Sequence, residues 1–197
     1  MKILAFDLST RQGSLALLDQ GRVVISREWP NDRRHSAPFF SALDEIFTQH
    51  SAPEIIVTGI GPGSYTGTRI AISAGIGLQA TTGAALCGLP SIGALSLESD
   101  YLVIGDAKRS SFFLGHIRGG GVANDLELLS ELEIAARISE FRIPIYTSDN
   151  LPQFNSVKVR FPSAELLCQQ ASRFPQNLIP APLSPIYLRE PHITSSR

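Results

Sequence analysis

Two cysteines are all the chain has in 197 residues. Cys87 and Cys168 stand far apart, in no CxxC pair and beside no histidine, so neither a disulfide framework nor a structural zinc site is encoded. Both read as core thiols of a protein kept in a reducing compartment. Histidine is equally sparse: His35, His50, His116 and His192 form no HxxxH or HExxH pair, which excludes a helix-borne metal centre. No apolar run is long enough to cross a bilayer, and Asp7 interrupts the opening run Ile3-Leu4-Ala5-Phe6 before it could serve as a signal-peptide core. A formal net charge of −1 supplies no positive field to gather nucleic acid unaided. What the chain does have is 43% hydrophobic residues, enough to build one large domain or two small ones in a cytoplasmic protein.

Residues Lys2 to Leu8 have the composition of a buried strand, Ser9 to Gly13 of a tight turn, and Ser14 to Asp19 of its partner. Gln20-Gly21 turns the chain into a third strand, Arg22 to Trp29, so the chain opens on an antiparallel meander. Ser36 is placed to cap a helix to about His50, with Pro38 in its first turn and Phe39, Phe40, Leu43, Ile46 and Phe47 on one face. A buried strand, Glu54 to Ile60, leads into the structured loop Gly61-Pro62-Gly63-Ser64-Tyr65-Thr66-Gly67, and a second helix, about Thr68 to Leu86, follows. Gly75 and Gly77 inside that helix each cost about 1 kcal/mol relative to alanine, which predicts the close approach of another backbone.

From Tyr101 the pattern starts again. Strands Tyr101 to Gly105 and Ser111 to Ile117, a Gly119-Gly120-Gly121 turn and a third strand, Val122 to Leu129, form a second meander. A helix, Glu131 to Phe141, and a strand, Ile143 to Thr147, come next. A short strand, Val157 to Phe161, and a helix, Ser163 to Phe174, precede a proline-rich tail expected to run extended over the surface.

Asp7 at a strand end, followed by the hydroxyl-rich turn Leu8-Ser9-Thr10-Arg11-Gln12-Gly13, has the layout of a phosphate-facing hairpin. There backbone amides and hydroxyls hold phosphate oxygens while the carboxylate orients a metal-bound water. The simpler reading is that Asp7 caps its own turn. The GPGSYTG loop is more specific, since its glycines let backbone approach a ligand at a helix N-terminus; the same glycines also suit a turn against a packed partner. Gly105-Asp106-Ala107-Lys108-Arg109 has the form of a second hairpin turn, with Asp106 in an ion pair. No later glycine-rich strand-to-helix turn supplies an adenosine pocket, so a working ATPase site is not expected. Arg33-Arg34-His35 reads as a polar loop.

Taken in order, Ile3-Leu4-Ala5-Phe6-Asp7-Leu8-Ser9-Thr10, Arg34-His35-Ser36, Gly61-Pro62-Gly63-Ser64-Tyr65-Thr66-Gly67-Thr68-Arg69-Ile70, Gly93-Ala94-Leu95-Ser96-Leu97-Glu98, Asp106-Ala107-Lys108-Arg109 and Pro185-Ile186-Tyr187-Leu188-Arg189 resemble the successive signatures of the TsaB (YeaZ) family. They span nearly the whole chain, and GPGSYTG-x-R-I is the most specific of them. Three departures stand out. Thr68 replaces a usual apolar residue, Ala71 a frequent glycine, and the helix after Ser-Leu-Glu is cut to about one turn by Ser99-Asp100.

The resemblance implies an α/β, actin-like (ASKHA, ribonuclease H-like) fold of two similar lobes, residues 1–98 and a reduced second lobe 99–197. It also implies a non-catalytic subunit of the machinery that makes threonylcarbamoyladenosine in tRNA. The expected partners are a TsaD-type homologue, which transfers the threonylcarbamoyl group to the adenosine beside the anticodon, and a TsaE-type ATPase. Contact with tRNA would be indirect, and a homodimer through the same face is a further expectation. No cofactor is expected to be tightly bound; the complex uses ATP and threonylcarbamoyl-AMP. The TsaD type carries its metal on an HxxxH pair, absent here, and nothing resembles the protease site that an old peptidase label for the family suggests. Asp7, Ser9, Thr10, Gly61, Gly63, Ser64, Gly67 and Asp106 would shape a remnant cleft, with Arg69 buttressing the loop. Phe39, Phe40, Leu43, Arg69, Ile70, Ala71, Ala74, Gly75 and Leu78 would form the partner interface. The competing reading is a small-molecule kinase or ATPase of the same superfold, with Asp7 orienting magnesium and Asp106 as base.

Overall fold

The computed structural model describes residues 1–31 and 36–189. Strands β1 (Lys2–Asp7), β2 (Gln12–Asp19) and β3 (Arg22–Pro30) form the expected antiparallel meander, with Asp7 opposite Ser14 where the first hairpin turns. β4 (Ile55–Gly59) pairs parallel to β1, and β5 (Ala85–Leu89) parallel to β4. Strand alternation divides the core between the sheet's two faces. Leu4, Phe6, Leu15 and Leu17 point to one side, where α1 (Ala37–Gln49) and α2 (Tyr65–Thr82) cover them. Ile3, Ala5, Ala16 and Leu18 point to the other, where α4 (Ala164–Arg173) packs through Leu167 and Cys168. Each such fully buried large side chain contributes roughly 1.5–3 kcal/mol, which stabilises the sheet between its two helical layers.

The second sheet holds β6 (Asp100–Asp106), β7 (Phe112–Arg118), β8 (Gly121–Val122), β9 (Glu127–Leu129), β10 (Ile145–Thr147) and β11 (Lys158–Val159). Its order, β11-β10-β6-β7-β8 with β9 also on β7, repeats the β5-β4-β1-β2-β3 order of the first. α3 (Glu131–Ser139), started by a Ser130–Glu133 capping box, buries Ile134 and Ile138 against one face. The 3-10 turn Ser91–Ala94 links the two sheets and places Ile92 against the other face. Two sheets of one order, each a meander followed by parallel strands, define the actin-like fold of two similar lobes, the second reduced. No helix among the described residues is long and apolar enough to cross a membrane.

Several elements differ from the sequence reading. α2 starts at Tyr65, inside the glycine loop, because the Ser64 hydroxyl accepts from the Gly67 N–H (3.2 Å). It stops at Thr82, where Gly83 takes a left-handed φ of 73°, and Ala85-Leu86, read from sequence as the end of the helix, instead opens β5 (Ala85–Leu89). The third strand of the second meander is divided into β8 and β9, and no helical turn follows Glu98. α4 and the tail strand β12 (Ile179–Pro180), on the far side of the division at residue 98, pack on and pair with the first sheet. Cys168 is a core thiol, pushed up to about 12 by burial, whereas Cys87 is only half-buried.

Candidate functional site

β1 delivers Asp7 into a sealed knot. One carboxylate oxygen, Oδ1, accepts from the Ser9 backbone N–H (2.7 Å) and the Ser9 hydroxyl (2.6 Å), the geometry of a self-capped turn. The Ser9 carbonyl accepts from the Ser64 N–H (2.5 Å), and Asn31 Nδ2 donates to the carbonyls of Leu8 (3.0 Å) and Thr10 (2.8 Å). Two glycines of the GPGSYTG loop permit this. A Cβ on Gly67 would strike the Leu8 carbonyl, and one on Gly63 the Ser9 carbonyl. Gly61 closes the other side, exchanging bonds with Ser91: its N–H donates to Ser91 Oγ (2.9 Å) and its carbonyl accepts from the Ser91 N–H (2.8 Å).

Asp7 and Ser9 are thus 0% and 1% exposed. Asp7 Oδ2 meets no hydrogen-bond partner; the Ser91 hydroxyl is close enough to favour the charged form without completing a bond. Burial raises the Asp7 carboxyl above its ordinary range against the opposing pull of Ser9 and Ser91. A carboxyl that is walled in, its charged form disfavoured by burial, is poorly suited to orienting a metal-bound water. Thr10 completes the turn, its hydroxyl donating to the Gln12 carbonyl (3.0 Å). The structure therefore gathers Asp7, Ser9, Gly61, Gly63, Ser64 and Gly67 around one point, where the glycines admit the chain's own backbone.

Asp106 belongs to the second sheet's hairpin and is partnered there. Its Oδ1 accepts from the Lys108 N–H (2.7 Å), its Oδ2 pairs with Lys108 Nζ (2.6 Å), and its own N–H donates to Asp149 Oδ2 (2.8 Å). The Lys108 side chain holds its carboxyl below the ordinary range, the wrong direction for a general base. His116 bonds Asp100 (2.6 Å) and packs on Phe141. No group of three metal-ligating side chains gathers among the described residues. Arg33, Arg34, His35 and His192 lie outside those residues.

The outward faces of α1 and α2 enclose a groove of about 550 Å³, lined by Ser36, Phe40, Tyr65, Thr66, Arg69, Ile70, Ser73 and Ala74. Phe40 and Ile76 are each 52% exposed and Tyr65 46% exposed, an apolar concentration unusual on a helix pair otherwise rich in small residues. Of the interface residues named from sequence, Phe40, Arg69, Ile70 and Ala74 line this groove. Phe39, Leu43, Ala71 and Gly75 do not: they face the sheet and are buried in the chain's own core, and Leu78 packs against that core. Gly75 admits Leu86, whereas Gly77 has nothing within 4 Å and faces open space. Arg69 stacks over the Tyr65 ring (5.1 Å) and donates to its hydroxyl, so it steadies the first turn of α2 rather than the loop. Tyr65, Ser73 and Ile76 escaped the sequence reading: Tyr65 joins the Arg69 face only once the helix begins at Tyr65, and Ser73 and Ile76 lie in the predicted helix, whose exposed face periodicity did not single out. Ser91 carried no sequence signal at all.

No family model matches the chain, and no curated protein does. Two solved structures from Pseudomonas aeruginosa are similar to it. One is an uncharacterized protein with similarity to peptidase YeaZ (21% identity, 95% of this chain and 99% of that one, TM-score 0.78); the other is YeaZ (21%, the same coverage, TM-score 0.75). At this identity the likeness is one of fold, and it takes in both lobes.

Proposed function

We propose that this chain is a TsaB (YeaZ) family protein, the non-catalytic subunit that binds a TsaD-type homologue and activates it for threonylcarbamoyl transfer to the adenosine beside the anticodon in tRNA. One observation carries the reading. The GPGSYTG loop, the segment best suited to holding phosphate, is filled by the turn it packs on, while the helix it starts turns an apolar groove outward. That combination suits a protein whose cleft does no chemistry and whose helices bind another protein. The full-length likeness to YeaZ and the ordered signatures support it. On this reading the groove receives the TsaD-type partner, the assembled pair engages the TsaE-type ATPase, and ATP, threonylcarbamoyl-AMP and tRNA are handled by the other components in the cytoplasm. A second copy of the chain occupies the same face when the partner is absent, since a self-complementary patch suffices for a two-fold contact.

The test is threonylcarbamoyl transfer in a reconstituted mixture of the organism's own components. Activity should vanish when this chain is omitted, return with wild type or Asp7→Asn, and not return with Phe40→Asp. Undiminished transfer on omission refutes the proposal. Failure of a folded Asp7→Asn variant would return the cleft to chemistry and favour a kinase.

A further inference from the structure

Residues 179–189 form a strap whose attachments change lobe within a few positions. β12 pairs with the edge strand β5, the Ala181 N–H donates to the Leu86 carbonyl (3.2 Å), and Leu183 packs on the first core. The Ile186 N–H then donates to the Ile60 carbonyl (2.8 Å) at the mouth of the glycine loop. One residue later Tyr187 stacks on Tyr65, centroids 5.3 Å apart and planes 28° apart. Leu188 already packs with Ile92, Leu95 and Tyr101 beneath the second sheet, and Arg189 donates to Ser111 Oγ in the β6–β7 hairpin.

The lobes also meet along the Ser91–Leu95 segment, whose Ile92 and Leu95 enter the second core while Ala94 enters the first, and at the Gly119–Gly121 turn. Gly93 lies against the Gly120 carbonyl, and Gly120 leaves no room for a side chain beside Gln170 and Phe174. Gln170 Nε2 reaches the Gly93 carbonyl only at 3.5 Å and its buried Oε1 has no partner, while Asn177 donates to the Gly119 carbonyl (3.2 Å). The strap adds a further tie between the lobes, at the β6–β7 hairpin end of the second sheet.

We propose that the strap links occupancy of the α1–α2 groove to the seating of the second lobe, with the Tyr65–Tyr187 stack as the coupling contact. The inference rests on the groove being a docking site, as read above. Tyr65 and Arg69 line the groove, and Tyr65 also carries the strap's aromatic anchor. An occupant that reorients Tyr65 changes the hold on Tyr187, and through Leu188 and Arg189 the hold on the second lobe. Linkage is reciprocal, so releasing the strap must alter affinity at the groove by the same factor.

Hydrogen exchange of the isolated full chain tests this without a partner. Tyr187→Ala should speed exchange of the Ile186 amide and of the second-lobe amides of Ala107 and Ser111 by about three- to tenfold, the equilibrium value of one aromatic stack. Tyr187→Phe, which keeps the stack, should stay near wild type. Arg69→Ala, altered only on the groove side, should speed the same second-lobe amides. Faster exchange at Ile186 alone, or no effect of Arg69→Ala at Ala107 and Ser111, overturns the coupling. The TsaD-type homologue is then titrated into wild type and Tyr187→Ala. Equal affinity for both also overturns it, whereas no binding to either defeats the functional reading and leaves the exchange result to decide the coupling.

Discussion

Both sheets follow the same strand order, yet their helical cover differs. The first carries α1 and α2 on one face and α4 on the other. In the second, residues 148–157 join β10 to β11 with no helix where the first sheet has α2, and the outer face rests on α3 together with Phe154 and neighbouring loop residues. The helix missing from the second lobe is the one that, in the first, brings Tyr65, Arg69, Ser73 and Ile76 to the surface. A duplicated framework therefore turns a helix pair with an apolar groove outward in one copy and only α3 and loop residues in the other. The hairpins diverge likewise: Asp7 is walled in and stripped of a partner for Oδ2, while Asp106 stands partly exposed in an ion pair.

The contrast between the two copies is open to substitution and to pH. The largest effect is expected in the knot. Gly67→Ala and Gly63→Ala place a methyl group against a backbone carbonyl that cannot yield, and each should lower the unfolding free energy by about 2–3 kcal/mol in chemical denaturation. Next is the groove. Phe40→Asp should reduce reconstituted transfer activity at least about tenfold without moving the melting temperature, as loss of an interface anchor does. Leu132→Asp on α3, at 85% exposure the most exposed large apolar side chain among the described residues, should be silent in both assays. Gly77→Ala should stabilise the isolated chain by up to about 1 kcal/mol, since the site is open and alanine favours helix; partner binding that weakens as stability rises would assign that glycine to the interface.

The smallest effects separate the two carboxylates by pH. The folded pKa of Asp7 is raised, so its contribution to stability is complete below its ordinary range and is lost as pH rises through the folded value. Asp7→Asn should therefore gain on wild type from about pH 4 upward. Asp106 has a depressed folded pKa, so its contribution is present above the ordinary range and lost as pH falls. Asp106→Asn should cost less than about 1 kcal/mol at neutral pH, as for an exposed pair, and nothing in strong acid. Denaturation midpoints across the pH range check both signs.

Much of the framework was legible because it is local. The Gln20-Gly21 turn and the alternating strands need only neighbours in sequence. β5 was hidden because Ala85-Leu86 continues the small apolar composition of α2; the stop signal was Gly83, a left-handed cap, and composition outweighed it. Phe40 shares a stripe with Phe39 and Leu43, but periodicity cannot separate a face turned to the core from one turned to a partner. The role of the GPGSYTG glycines was left open between ligand and packing, and only the Leu8 and Ser9 carbonyls decide for packing. Ser91 joins the knot across thirty positions, which no local pattern records.

The last two layers of the first sheet come from late in the chain: α4 covers the β1–β2 face and β12 completes the β5 edge. On a ribosome, the opening strands would emerge with Ile3, Ala5, Ala16 and Leu18 bare and wait for some 150 further residues before α4 could cover them, roughly seven to thirty seconds at ordinary elongation rates. A fragment ending near residue 98 would keep that apolar face and should collect chaperones or aggregate, so this lobe is completed only once residues 164–180 have been made.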